Sequence, residues 1–183
     1  DVSASASTTL NNGMVASLTA GSVVSYDGSN WTLGADGFVA MLETSYGSIS
    51  FGSIDNANLE TFAAVAGMTL DEDSFGTGTH EVRAETTLGG YAIVASTDFD
   101  GTNVASNVSG SAGTVDFALY YETGIMGLTA STSLAGMDLT FAYADDSTTN
   151  SVGVGVGYAI SSTISASGSY ATNYGVNQIA VGV

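Results

Sequence analysis

Along most of this chain, apolar residues alternate one for one with small or polar ones. "GFVAMLETS" puts Phe38, Ala40, Leu42 and Thr44 on one face, and "YGSISFGS" does the same with Ile49 and Phe51. "GTVDFALYY" sets Val115, Phe117, Leu119 and Tyr121 against Asp116 and Tyr120, and "GMDLTFAYADD" sets Met137, Leu139, Phe141 and Tyr143 against Asp138, Thr140, Ala142 and Ala144. In "SVGVGVGYAI", Val152, Val154, Val156, Tyr158 and Ile160 oppose Gly153, Gly155, Gly157 and Ala159. "NQIAVGV" ends with Ile179, Val181 and Val183 on one side. A period of two is the pattern of β-strands, because successive side chains leave a strand on opposite faces. Turn residues punctuate the runs: Asn11 to Gly13, Gly89 and Gly90, Ser111 to Gly113, and Ala135 to Met137. Between them come longer polar connections, "YDGSN", "DFDGTNVASN", "ADDSTTN" and "ATNYG". Short and long connections in alternation predict one domain built as an antiparallel meander of roughly 12 strands.

One segment departs from this pattern. Residues 55–79, "DNANLETFAAVAGMTLDEDSFGTGT", lose the alternation, and Leu59, Phe62, Ala63 and Ala66 have helical spacing. A connection this long in a compact β domain is usually functional or disordered.

The two strand faces differ in an unusual way. One is apolar; the other is Gly, Ala, Ser and Thr with few charges, a poor solvated surface for a soluble sandwich. It suits a barrel wall whose small side chains line water while the apolar face meets lipid. Tyr26, Tyr46, Phe99, Tyr121, Tyr143, Tyr158, Tyr170 and Tyr174 lie near strand ends, where an interfacial girdle would sit. A secreted acidic sandwich, or a surface-layer or filament protein, has the same ingredients. The valines separate the two: in a sandwich Val152, Val154 and Val156 are buried under a second sheet.

Composition narrows the function classes. The chain has 183 residues, 18 acids and one Lys or Arg, for a formal net charge of −17. One cation cannot neutralise a phosphate backbone, so a nucleic-acid partner is not expected. Cysteine and proline are absent, which removes disulfides and thiolate chemistry and leaves long ladders unbroken. No apolar run approaches the length of a transmembrane helix. There is no basic-then-apolar leader and no initiator Met, so the chain is expected to be processed or partial. No GxSxG, GxGxxG or P-loop appears, and His80, the lone histidine, falls on the apolar phase of its strand. The chain is therefore read as a non-enzyme with no required cofactor.

"GFVAMLETSYGSISFGSIDNANLETFAAVAGMTLDED" resembles the Gram-negative general diffusion porins of the alphaproteobacterial type. In that family a phrase like "FG.L.FGD.D.A" leads into a long third loop that folds into the barrel. "YGSISFGSIDNA" matches it, with Ser53 at a usual Asp. "SASTTLNNGMVASLTAG" and "VRAETTLGGYAIVASTDFDG" resemble the flanking hairpins. The resemblance implies a transmembrane β-barrel in a bacterial outer membrane, a homotrimer, and passive diffusion of small hydrophilic solutes and ions. It also implies a constricting loop at residues 55–79. Two departures accompany it: the family runs to about 300 residues and roughly 16 strands, and its members end in an aromatic residue, where this chain has Val183.

The same resemblance sets loop acids against a basic wall. The loop acids would be Glu60, Asp71, Glu72 and Asp73; the wall has Arg83 alone, flanked by Glu81 and Glu85 on its own strand face. The lipid side would cost a lone Arg roughly 2–4 kcal/mol at the midplane, so the lumen phase is expected. There Arg83 either serves permeation or neutralises its neighbours. Such a pore is expected to prefer cations. A second chemistry is calcium at "DFDGTN", through Asp98, Asp100 and Asn103; the loop lacks an EF-hand's closing Glu, and an ion-free polar turn is the competing reading.

Overall fold

In the computed structural model, which describes residues 2–26, 28–58, 61–71, 74–75 and 79–183, thirteen antiparallel strands form one sheet. They are β1 (Val2–Thr9), β2 (Val15–Tyr26), β3 (Trp31–Thr44), β4 (Gly47–Asp55), β5 (Thr79–Leu88), β6 (Tyr91–Thr97), β7 (Val104–Ala112), β8 (Val115–Glu122), β9 (Ile125–Leu134), β10 (Met137–Asp145), β11 (Asn150–Ala159), β12 (Ser165–Asn173) and β13 (Val176–Gly182). Each pairs with its sequence neighbours, in the order β1 to β13, and β1 and β13 are not joined to each other among the described residues. The expected meander is therefore observed, with thirteen strands where about 12 were counted. The tight turn at Gly89 and Gly90 closes where the sequence places it: both take positive φ, at 61° and 89°, as a two-residue hairpin of mirror-image type requires.

Strand register shows what the alternation sorts. On one face, Phe117, Ala130, Phe141, Val154, Tyr170 and Ile179 line up across β8 to β13. Most of this row is open: Val154 is 50% and Ile179 77% exposed. On the other face, one row runs Ala118, Thr129, Ala142, Gly153, Ala171, and the next runs Tyr120, Gly127, Ala144, Ser151, Asn173. These two rows are buried, with Ala142, Ala144, Ala171 and Ser151 at 0% exposure. Among the described residues no second sheet covers the valine face; the cover lies on the small-residue face and is the β4–β5 connection.

That connection supplies the core. Phe62, Val65, Met68, Leu70 and Phe75 cluster with Ala118, Tyr120, Ala142, Ala144 and Ala171. Burying each large side chain contributes roughly 1.5–3 kcal/mol, so the segment is held by its own apolar residues. The molecule nevertheless exposes 11096 Å², against about 8,100 Å² for a compact monomer of this mass. The excess is what a one-sheet wall with an open apolar face produces.

The helical spacing at Phe62, Ala63 and Ala66 does not produce a helix: residues 61–71 are turns and coil, and Leu59 lies outside the described residues. Backbone groups find partners in local turns, Thr61 N–H to Asn58 O and Met68 N–H to Val65 O, and in the wall.

Candidate functional site: an inward-docked loop on an acidic wall

A bulge starts the loop on its way inward. The β4–β5 register slips between Phe51 and Ile54, leaving Gly52 and Ser53 opposite one residue. Gly52 has φ 126°, and a Cβ there would lie 1.9 Å from the Phe38 carbonyl oxygen, so only glycine fits. Bulges bend a strand and re-aim its side chains. Ile54, and His80 paired to it, are both buried. This corrects the expectation for His80: it leaves the apolar phase and its Nδ1 lies 2.7 Å from Ser96 Oγ. Ser96 Oγ also accepts the Ala57 N–H at 2.8 Å, tying the loop's first turn to β6. Ser96→Ala orphans two buried groups and should cost about 1–3 kcal/mol, read as a lower denaturation midpoint.

From β6 the loop crosses the wall. Asn58 Nδ2 donates to Tyr121 O at 2.7 Å, and Tyr120 Oη donates to Thr61 O at 2.6 Å. At the far side Ser169 Oγ donates to Ala66 O, Asn173 Nδ2 donates to Gly67 O at 2.6 Å, and Asn173 Oδ1 accepts the Thr69 N–H at 2.8 Å. Leu70 N–H reaches Ser151 Oγ at 3.2 Å. β6 to β12 is six strand spacings, about 29 Å if flat. The residues from Ala57 to Gly67 could span such a distance only near full extension, yet they contain turns. The sheet therefore curls around the loop, which sits on its concave side. Between Ala64–Ala66 and the wall at Asp138, Thr140, Gly155, Gly157, Ser167 and Ser169 an open cleft of about 450 Å³ remains.

Charges follow the same face. Arg83 pairs across to Ser96, which pairs to Ala105 and then Glu122; Glu85 pairs across to Ser48, and Ser48 to Glu43. Asp116 pairs to Ser131, and Asp138 to Gly157. All of these lie on the loop-bearing side. Arg83 Nε lies 2.7 Å from Glu85 Oε1, a charge contact whose N–H is not aligned for a hydrogen bond, and its Nη1 donates to Asp55 O at 3.3 Å. Glu81 instead turns to the rim, where it accepts the Phe99 N–H at 3.0 Å. Asp71 is engaged with Ser74, whose Oγ donates to Asp71 Oδ1 at 3.3 Å. Arg83 and Asp71 thus have separate partners. Glu60, Glu72 and Asp73 lie outside the described residues.

The β6–β7 turn uses its acids internally. Asp98 accepts from the Asn103 N–H at 3.1 Å, from Asn103 Nδ2 at 2.6 Å and from Thr102 Oγ1 at 2.9 Å, while Asp100 Oδ1 accepts the Thr102 N–H. Asn103 thus presents a donor to Asp98, and a cation there would have to displace these bonds. The described residues contain no group of three or more His, Cys, Asp or Glu placed to hold a metal. Desolvation opposes ionisation of Asp98, but the Asn103 and Thr102 donors outweigh it and hold the carboxyl well below the usual range. Asp146 is lowered likewise by the Thr148 hydroxyl and the Thr149 N–H. A depressed carboxyl stabilises the fold above its unfolded value, about 3.9, and loses that contribution as pH falls through the folded value. Both turns should keep their shape through pH 4 and loosen only in stronger acid, followed by the amide resonances of Asn103 and Thr149.

The sequence did not single out Ser96, Tyr120, Ser151 or Asn173 as anchors of the loop. Glycines inside strands, Gly127 and Gly153 among them, carry a local hint, since glycine there often marks a close backbone approach.

An all-antiparallel wall, apolar outside and small, polar and acidic inside, with a long loop docked on the inner face, has the architecture of the transmembrane β-barrel class. No protein-family model and no curated relative matches the chain. Among solved structures it is similar to engineered mutants of the porin from Rh. blastica. Two give TM-scores of 0.45 and 0.46 at 11% identity, each over 98% of this chain and 86% of theirs. A third gives 0.43 at 9% identity over the same shares.

Proposed function

We propose that this chain forms the wall of a water-filled outer-membrane pore for passive diffusion of small hydrophilic solutes, with a preference for cations. The observation that carries the proposal is the division of the two faces. Glu43, Arg83, Glu85, Asp116, Glu122 and Asp138 share the side on which the loop docks, and the opposite side is a continuous open apolar surface. Monomers in water rarely expose apolar patches beyond a few hundred Å², whereas lipid requires such a surface. In this reading the docked loop narrows the lumen, beside the open cleft at Ala64–Ala66. A trimer fits the same reading. Conductance decides it: the folded protein added to a planar bilayer should produce discrete steps. A protein that remains folded and monomeric without detergent and gives no steps is not a pore.

A further inference from the structure

Gly127 and Gly153 sit in strand interiors without positive φ, so no backbone constraint calls for glycine, and glycine weakens a strand. Their surroundings explain them. A Cβ on Gly153 would lie 2.5 Å from Val65 Cβ and 2.8 Å from Met68 Sδ. A Cβ on Gly127 would lie 2.7 Å from Phe75 Cζ and 2.9 Å from Phe62 Cε2. Gly155 is on the same strand and face as Gly153, yet a Cβ there would meet Val65 Cγ1 at an ordinary 3.6 Å. Glycine at 127 and 153 therefore marks two holes in the wall, one under each half of the loop's apolar cluster. Phe62 and Phe75, stacked at 4.5 Å, fill the first; Val65 and Met68 fill the second.

We infer that Gly127 and Gly153 are positioning residues that set how deeply the loop seats on the wall and hence how much of the lumen it occupies. The inference rests on the pore reading for its consequence and on the packing alone for its cause. A single methyl at Gly153 forces Val65 about 1 Å away from the wall, since carbon contacts need roughly 3.5–4.0 Å. The movement is toward the lumen. It strains the bonds just beyond, Thr69 N–H to Asn173 and Leu70 N–H to Ser151.

The test compares Gly153→Ala with Gly155→Ala, the same methyl on the same strand face. Amide exchange at Thr69 and Leu70 in the detergent-folded protein should rise about tenfold in Gly153→Ala and stay at the wild-type rate in Gly155→Ala. Single-channel conductance should fall in Gly153→Ala, with added open-channel noise. Equal exchange in both variants overturns the inference. Should Gly153→Ala fail to fold, Gly127→Ala against Gly155→Ala makes the same comparison at the other hole. A wild-type protein that gives no conductance steps overturns the pore reading and leaves the exchange comparison to decide the seat.

Discussion

A tenfold KCl gradient across a bilayer containing the protein should give a reversal potential of cation sign, beyond half the ~59 mV limit for a monovalent ion. The wall is the reason. Its one cation, Arg83, is already in contact with Glu85, so its charge is largely neutralised where it stands. Glu43, Asp116 and Asp138 meet no Lys or Arg in the chain. Glu85→Gln should release Arg83 and lower the cation preference; Arg83→Gln should raise it. Both shifts should be small beside the preference itself, because each changes one charge in a chain of −17. Salt supplies a further check. The screening length falls from about 10 Å at 0.1 M to about 3 Å at 1 M, so the preference should shrink as the mean concentration rises. Anion preference at low salt would sink the proposed selectivity.

The second large effect belongs to the outer face. Val154 is half exposed at the middle of β11, in the apolar row with Phe141 and Tyr170. Arginine there should cost roughly 2–4 kcal/mol of folding stability in a bilayer, the depth-dependent value for a midplane charge. Thr140 sits at a comparable height on β10, on the inner face beside Gly155, and arginine there should stay within about 1 kcal/mol of wild type, since its charge meets water. Denaturant titration of the protein refolded into lipid vesicles measures both. Equal losses at the two positions would show that the valine row does not face lipid.

How much of this was legible beforehand differs by element. Strands with strong contrast, such as β8, β10 and β11, can be read directly, because Leu119, Phe141 and Val154 alternate with small residues. β7 and β12, "VASNVSGSA" and "SASGSYATN", are so rich in Ser, Gly and Asn that alternation barely shows. The inner position of Arg83 follows from parity along a regular strand. The same parity misplaces His80, which lies beside the bulge at Gly52 and Ser53 and meets Ser96 on the loop-bearing side.

By itself, then, the sequence determined the strand period, the division into an apolar and a small-residue face, the tight turns and the acidic balance. Each of these is local, set by backbone geometry and nearest neighbours. Tertiary structure decided where residues 56–58, 61–71 and 74–75 lie and what holds them. Asn173 meets Gly67 across 106 positions, and Ser151 meets Leu70 across 81. The apolar spacing at Phe62 and Ala66 yields to burial against Tyr120 and the alanine row because a solvated helix would leave Phe62, Val65 and Phe75 in water. Only the curled wall, with holes at Gly127 and Gly153, offers them a place to pack.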